Sequence, residues 1–178
     1  MRRLWSLHCD MDLMCKGEVN VMVWTPLTVK IANFVTEEHS GQKDKLGAPY
    51  ILHLFRVAQH AETEDETCVA LLHDWAEDVV PGWDPVRVRS YLSQLGVSHR
   101  SIDALLLLHH EKGEPYREYI MRVVSDDLAW RVKYWDVCDN SDPDRLALVE
   151  PLETRERLRN KYYWAKHFLA ANRPENRK

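Results

Sequence analysis

Leu71-Leu72-His73-Asp74-Trp75-Ala76-Glu77-Asp78 runs an apolar pair straight into a histidine–carboxylate doublet, with two further carboxylates one helical turn on. Read as one continuous helix, the stretch puts Glu77 four residues after His73 and Asp78 four after Asp74. Side chains at that spacing are neighbours on one face. Three carboxylates would then crowd beside a buried leucine pair. Like charges so placed repel, and a desolvated carboxylate is costly unless something neutralises it. A bound cation is the economical answer, and histidine with aspartate suits a hard or borderline divalent metal. The bland alternative is a helix end with solvated charges. It leaves unexplained why Leu71 and Leu72 lead directly into the doublet.

Helical periodicity extends from this stretch in both directions. Thr25 is an N-cap with Pro26 at the first helical position. Leu27, Ile31, Phe34 and Val35 form an apolar stripe ending near His39-Ser40-Gly41. Residues 42–49 read as a polar loop. A second helix is predicted from about Tyr50 to Ala61, and a third from about Asp65 to Asp78, stopping before Pro81-Gly82. Asp84-Pro85 opens a fourth, with Gly96 as its stop signal. Ser98 caps a fifth, Glu114-Pro115 starts a sixth, and Asp126 or Asp127 caps a seventh. A last helix spans roughly Glu153 to Ala171. No strand pattern, internal repeat or low-complexity tract interrupts the series. The expectation is an all-α, single compact helical bundle over residues 23–178. Residues 1–22 show no sustained periodicity and read as a loosely ordered N-terminal arm.

The 178 residues, 45% of them hydrophobic, suffice for one domain with a sizeable core. A net charge of −4 argues against general DNA binding, so an anionic substrate must meet a local basic patch or a metal. Lys43 and Lys45 in the polar loop are candidates for that patch. No apolar run approaches the ~20 residues that span a bilayer. Met1-Arg2-Arg3 is followed by Asp10, Asp12, Lys16 and Glu18, a poor secretory signal. The four cysteines form no CxxC pair, so the expected setting is a reduced cytoplasm.

Two further stretches carry chemistry. His53 sits among apolar residues in Pro49-Tyr50-Ile51-Leu52-His53, where a lone histidine is usually a satisfied core residue. Asp136 follows a partly apolar turn in Val132-Lys133-Tyr134-Trp135-Asp136, with Asn140 as its i+4 neighbour. Taken alone, Asp136 reads as a surface carboxylate paired to Lys133, and Asp139 as a solvated residue near the helix end. His109-His110 reads as a helix end near a pocket rim, and Trp130, Trp135 and Trp164 as core.

In combination these residues resemble a known family. His39-Ser40-Gly41-Gln42, Gly47-Ala48-Pro49-Tyr50-Ile51-Leu52-His53, Val57-Ala58, Ala70-Leu71-Leu72-His73-Asp74, Glu77-Asp78 and Val132-Lys133 with Asp136 and Asn140 resemble the HD superfamily. Within it, they resemble the hydrolase domain of RelA/SpoT-type alarmone enzymes and the free-standing small alarmone hydrolases. The resemblance implies an HD-type helical bundle. It implies manganese bound by His53, His73, Asp74 and Asp136, and a hydrolytic water served by Glu77 and Asp78. Asn140 would contact the nucleotide ribose, and Lys161 and Tyr162 would close the nucleotide side. His39 opens the first motif without being a ligand. The implied reaction is removal of the 3′-pyrophosphate of guanosine tetra- or pentaphosphate. A chain of this length leaves no room for a synthetase domain, so degradation alone is expected.

Asp44 departs from the pattern, standing where an arginine that packs on guanine is common. It is expected to meet a base amine or to face water, and to relax base preference. The alternatives are an HD phosphohydrolase acting on another nucleotide, such as a 5′-nucleotidase, and an antitoxin-like module that neutralises an alarmone synthetase toxin. The oligomeric state is left open.

Overall fold

The computed structural model describes residues 22–78 and 84–176, with the side chains of Ala76, Asp78 and Asn176 outside that description. Among the described residues the chain is all-α. Its helices are α1 (Pro26–Glu38), α2 (Ile51–Ala58), α3 (Glu64–Leu72), α4 (Trp75–Asp78), α5 (Pro85–Leu95), α6 (His99–Leu108), α7 (Tyr116–Val123), α8 (Asp127–Asn140), α9 (Pro143–Ala147) and α10 (Leu152–Ala171). The proposed arm at residues 1–21 lies outside the described residues, as does Pro81-Gly82. Met22, placed in the arm from sequence, is packed into the core. No described helix is long and apolar enough to cross a membrane.

Local chemistry sets most of the boundaries. Thr25 and Thr28 form a reciprocal capping box: the Thr28 amide donates to Thr25 Oγ1 (3.2 Å), and the Thr25 amide to Thr28 Oγ1 (2.8 Å). Asp84 caps α5, and Gly96 ends it with a φ of 98°, a left-handed conformation that glycine adopts at little cost. Ser98 caps α6 and Asp126 caps α8.

The bundle is organised around α3. Thr67, Cys68, Val69, Ala70, Leu71 and Leu72 are all buried, and the helix packs against α1, α2, α6 and α8. After an acidic first turn, the rest of α3 is buried on every side, as an interior helix is. Burying each of Val69, Leu71 and Leu72 contributes about 1.5–3 kcal/mol. The second inner helix, α8, packs on α2, α3, α6, α7 and α10. These two inner helices frame the candidate site: α8 carries Asp136, and α3 leads into the turn that holds His73 and Asp74.

The structure corrects the expected third helix. The stretch from Asp65 to Asp78 is two helices, α3 and α4, with His73 and Asp74 in a turn between them. The His73 ring donates through Nδ1 to the Ala70 carbonyl (2.7 Å), the acceptor an unbroken helix would offer to Asp74. The i,i+4 stacking of Glu77 on His73 assumed from sequence therefore does not apply. Beyond the break, α4 is anchored to α1 through Trp75, whose indole donates to Glu38 (2.9 Å) and packs on Phe34. The short α9, opened by Asp142-Pro143, was not anticipated.

Candidate metal centre

His53 comes from α2, His73 and Asp74 from the turn after α3, and Asp136 from α8. His53, His73 and Asp74 each present one donor atom within 4.8 Å of the others. Asp136 is set against the same two rings: its Oδ1 lies 3.2 Å from His53 Nε2 and 3.8 Å from His73 Nε2. Asp74 Oδ2 lies 3.6 Å from His53 Nε2 and 3.0 Å from His73 Nε2. Both histidines and Asp136 are buried.

The hydrogen bonds at the far side of each ring fix its tautomer. His53 Nδ1 faces Asp139 Oδ2 (2.7 Å) and His73 Nδ1 faces the Ala70 carbonyl (2.7 Å). A carboxylate and a carbonyl only accept, so both Nδ1 atoms carry the proton. In the neutral rings each Nε2 is then a bare lone pair. Among the described residues neither buried Nε2 atom has a hydrogen-bond partner, and both face carboxylate oxygens. Lone pairs facing carboxylates in a buried site require a cation between them, either protons or a metal ion. This donor set, two imidazoles with two carboxylates, fits a divalent transition metal. His53 is thus not the satisfied core histidine that its isolated sequence setting suggests.

The electrostatics agree. Burial alone would push both imidazoles down, but the neighbouring carboxylates outweigh it. His53 is raised well above its ordinary value by Asp136, Asp139 and Asp74, and His73 is pushed up to about 9 by Asp74 and Asp136. Asp74 and Asp136 stay well below the usual carboxylate range against the cost of burial, Asp74 mainly through His73 and Asp136 mainly through Lys133.

Asp136 is not the surface carboxylate its local sequence suggests. It does pair with Lys133, at 2.6 Å, but both side chains are largely buried. Asp139 is not solvated either. It accepts from His53, from Arg56 Nε (2.5 Å) and from Arg145, with its side chain 10% exposed. The Tyr50 hydroxyl donates to Asp74 Oδ2 (2.5 Å), and the Tyr50 ring stacks on buried His39, whose Nδ1 meets Gln42. Sequence reading gave no role at the site to Tyr50, Arg56, Asp139 or Arg145. Their partners are 24 to 101 residues away in the cases of Tyr50, Arg56 and the Arg145–Asp44 pair, so local spacing carries no signal for them.

A cleft of about 340 Å³ opens over this floor. His53, Asp74, Glu77 and Asp136 line it, together with the predicted substrate contacts Lys43, Lys45, Asn140, Lys161 and Tyr162. Glu77 stands on the cleft wall; the Asp78 side chain lies outside the described residues. Asn140 donates to Asp136 Oδ1 (2.5 Å) and so also braces the floor. Lys161 sits over the Tyr116 ring at 4.1 Å, and the buried Tyr116 hydroxyl on the cleft wall has no hydrogen-bond partner among the described residues. The Lys161 ammonium is pushed down by burial and by the nearby charges of Lys133 and Lys45. His110 reaches the cleft as expected of a rim residue, while its Nε2 meets the Glu114 carbonyl. Of the tryptophans singled out, Trp130 is buried, and Trp135 and Trp164 pack half-buried at the core edge.

Asp44 neither presents itself as a free base contact nor faces water. Its Oδ1 accepts from the Leu46 and Ala48 amides (2.9 and 3.0 Å) and its Oδ2 pairs with Arg145 (2.9 Å). The carboxylate staples the 43–49 loop and ties it to α9.

An all-α bundle that gathers imidazoles and carboxylates beneath a cation-lined cleft defines a candidate metal centre open to an anionic ligand. No family model matches the chain. The chain is 33% identical over 113 residues to the guanosine-3′,5′-bis(diphosphate) 3′-pyrophosphohydrolase of Aquifex aeolicus (strain VF5), over 60% of this chain and 16% of that relative. The chain thus spans about a sixth of the length of the curated relative it matches.

Proposed function

We propose that the protein is a manganese-dependent phosphohydrolase that removes the 3′-pyrophosphate of guanosine tetra- or pentaphosphate. The observation that carries this reading is the pair of buried, unpartnered imidazole nitrogens facing two carboxylates, directly under a cleft edged with lysines. The similarity to a protein named for that reaction supports the choice of substrate.

His53, His73, Asp74 and Asp136 would hold the ion. When bound, it supplies charge neutralisation at the phosphate under attack and lowers the pKa of a coordinated water. Glu77 and Asp78 take the proton from the attacking water. Water adds to the phosphorus next to the ribose, the bond to the 3′ oxygen breaks, and that oxygen leaves with a proton returned to it. The products are pyrophosphate and GDP or GTP. Lys43, Lys45 and Lys161 hold phosphate groups by charge. Asn140, whose amide nitrogen is engaged by Asp136, keeps its carbonyl oxygen for a sugar hydroxyl. Tyr162 closes the nucleotide side.

Product analysis of the purified protein with guanosine tetraphosphate, with and without manganese, tests the reading. Equimolar GDP and pyrophosphate, formed only with the metal, is the expected result. Release of orthophosphate, or turnover of simple 5′-nucleotides in place of the tetraphosphate, would overturn it in favour of a different nucleotide phosphohydrolase.

A further inference from the structure

A line of charged side chains runs from the mouth of the cleft to its floor. Asp44, in the 43–49 loop, pairs through Oδ2 with Arg145 Nη2 at 2.9 Å. The other terminal nitrogen of Arg145, Nη1, pairs with Asp139 Oδ2. That same oxygen receives His53 Nδ1 at 2.7 Å, and Arg56 Nε holds the second oxygen of Asp139 at 2.5 Å. The Asp44 and Asp139 side chains are each only 10% exposed. Charged hydrogen bonds so shielded from water are stronger than exposed ones and polarise one another.

Each link has a mechanical meaning. An acceptor at Nδ1 fixes an imidazole's orientation and raises the basicity of its other nitrogen. Asp139 is in turn clamped from two elements, by Arg56 on α2 and Arg145 on α9. Arg145 keeps its place by bridging two carboxylates, one of which belongs to the loop that carries Lys43 and Lys45. Displacing the loop takes away one of the two anchors of Arg145 and loosens the clamp on Asp139.

We propose that Asp139 and Arg145 are positioning residues for the metal centre, and that the Asp44–Arg145–Asp139–His53 line couples the 43–49 loop to metal affinity. The proposal rests on the metal reading given above. Coupling of this kind is reciprocal, so the bound ion also steadies the loop.

The test is calorimetric titration of manganese into metal-stripped, full-length protein, alongside thermal melts of each metal-free variant. Asp139→Asn keeps an acceptor for His53 but discharges it, and should weaken manganese binding about 10- to 100-fold. Arg145→Gln and Asp44→Asn, which alter no ligand, should weaken it in the same direction by less. Asp44→Asn also preserves the acceptor for the two loop amides. The Asp44→Asn/Arg145→Gln double variant should bind no worse than Arg145→Gln alone, because both changes cut one link. Affinities of Asp139→Asn and Arg145→Gln within about twofold of wild type would overturn the proposal. So would losses that add in the double variant, or that merely track a fall in melting temperature. If Asp139→Asn does not fold, the Arg145 and Asp44 variants decide by the same criteria. Wild-type protein that binds no manganese would instead refute the metal reading itself.

Discussion

The floor and the mouth of the cleft use the same residue types to opposite ends. At the floor, Asp74 and Asp136 face imidazole nitrogens that lack partners, so the arrangement is incomplete without a cation. At the mouth, the Asp44 carboxylate is engaged on both oxygens, by two amides and an arginine. The nearby Lys161 ammonium is lowered by burial and by the neighbouring charges of Lys133 and Lys45. The floor awaits a positive charge and the mouth a negative one. Burial teaches the difference: a carboxylate placed beside a bare lone pair marks a ligand site, and one placed beside an arginine marks a brace.

The largest effects should come from breaking the floor. His73→Ala or Asp136→Ala should abolish metal uptake, read as metal per protein by elemental analysis, and turnover with it. Metal retained at one ion per chain in both variants would mean that the cation sits elsewhere. Glu77→Gln and Asp78→Asn should leave metal content intact while lowering kcat by roughly 10²-fold or more. Near-normal turnover in both would assign the water-activating role to other groups.

Mouth substitutions should act on substrate affinity instead. Lys43→Ala, Lys45→Ala or Lys161→Ala should each raise KM for the tetraphosphate roughly tenfold, the weight of one charged hydrogen bond, with metal content unchanged. Tyr116→Phe, which removes an unpartnered hydroxyl from the cleft wall, should shift KM in the same direction by less. If these variants lose kcat at constant KM, the contrast between floor and mouth fails.

The smallest effect is a pH dependence of the metal-free protein. His73 is raised from about 6.5 unfolded to about 9 folded, because Asp74 and Asp136 outweigh its burial. A raised folded value adds stability that is fully present below the unfolded pKa and lost as pH rises through the folded one. Melting temperature in chelator should therefore fall between about pH 6.5 and pH 9, and added manganese should remove that fall. A melting temperature that does not respond to pH across this range would sever the link between the imidazoles and their carboxylates.

The helix starts were legible because they rest on local chemistry: Thr25-Pro26, Asp84-Pro85, Ser98 and Asp126 all cap where their residue types direct. The break at His73-Asp74 was not. His73 keeps helical dihedrals of −59° and −30°, and no glycine or proline marks the site. Asp142-Pro143 carries the same opening signal as Asp84-Pro85, but the helix it opens has only five residues, too short to show an apolar periodicity. Within the site, His73-Asp74 stood out through its apolar approach. Asp139 and Asp44 misled because a carboxylate's role is set by its partner, and theirs, Arg56 and Arg145, arrive from other elements.

The break between α3 and α4 has one more consequence. Adjacent residues near a helix end point about 100° apart, so a shared ion asks their side chains to turn toward each other. At the turn, His73 Nε2 and Asp74 Oδ2 come within 3.0 Å of each other, so on the proposed reading two neighbours in sequence would act as a single chelating claw. Were one arm to let go, the other would keep the ion at high effective concentration beside it, and recapture would outrun escape. A metal held this way should leave slowly, at a rate set by both arms opening together.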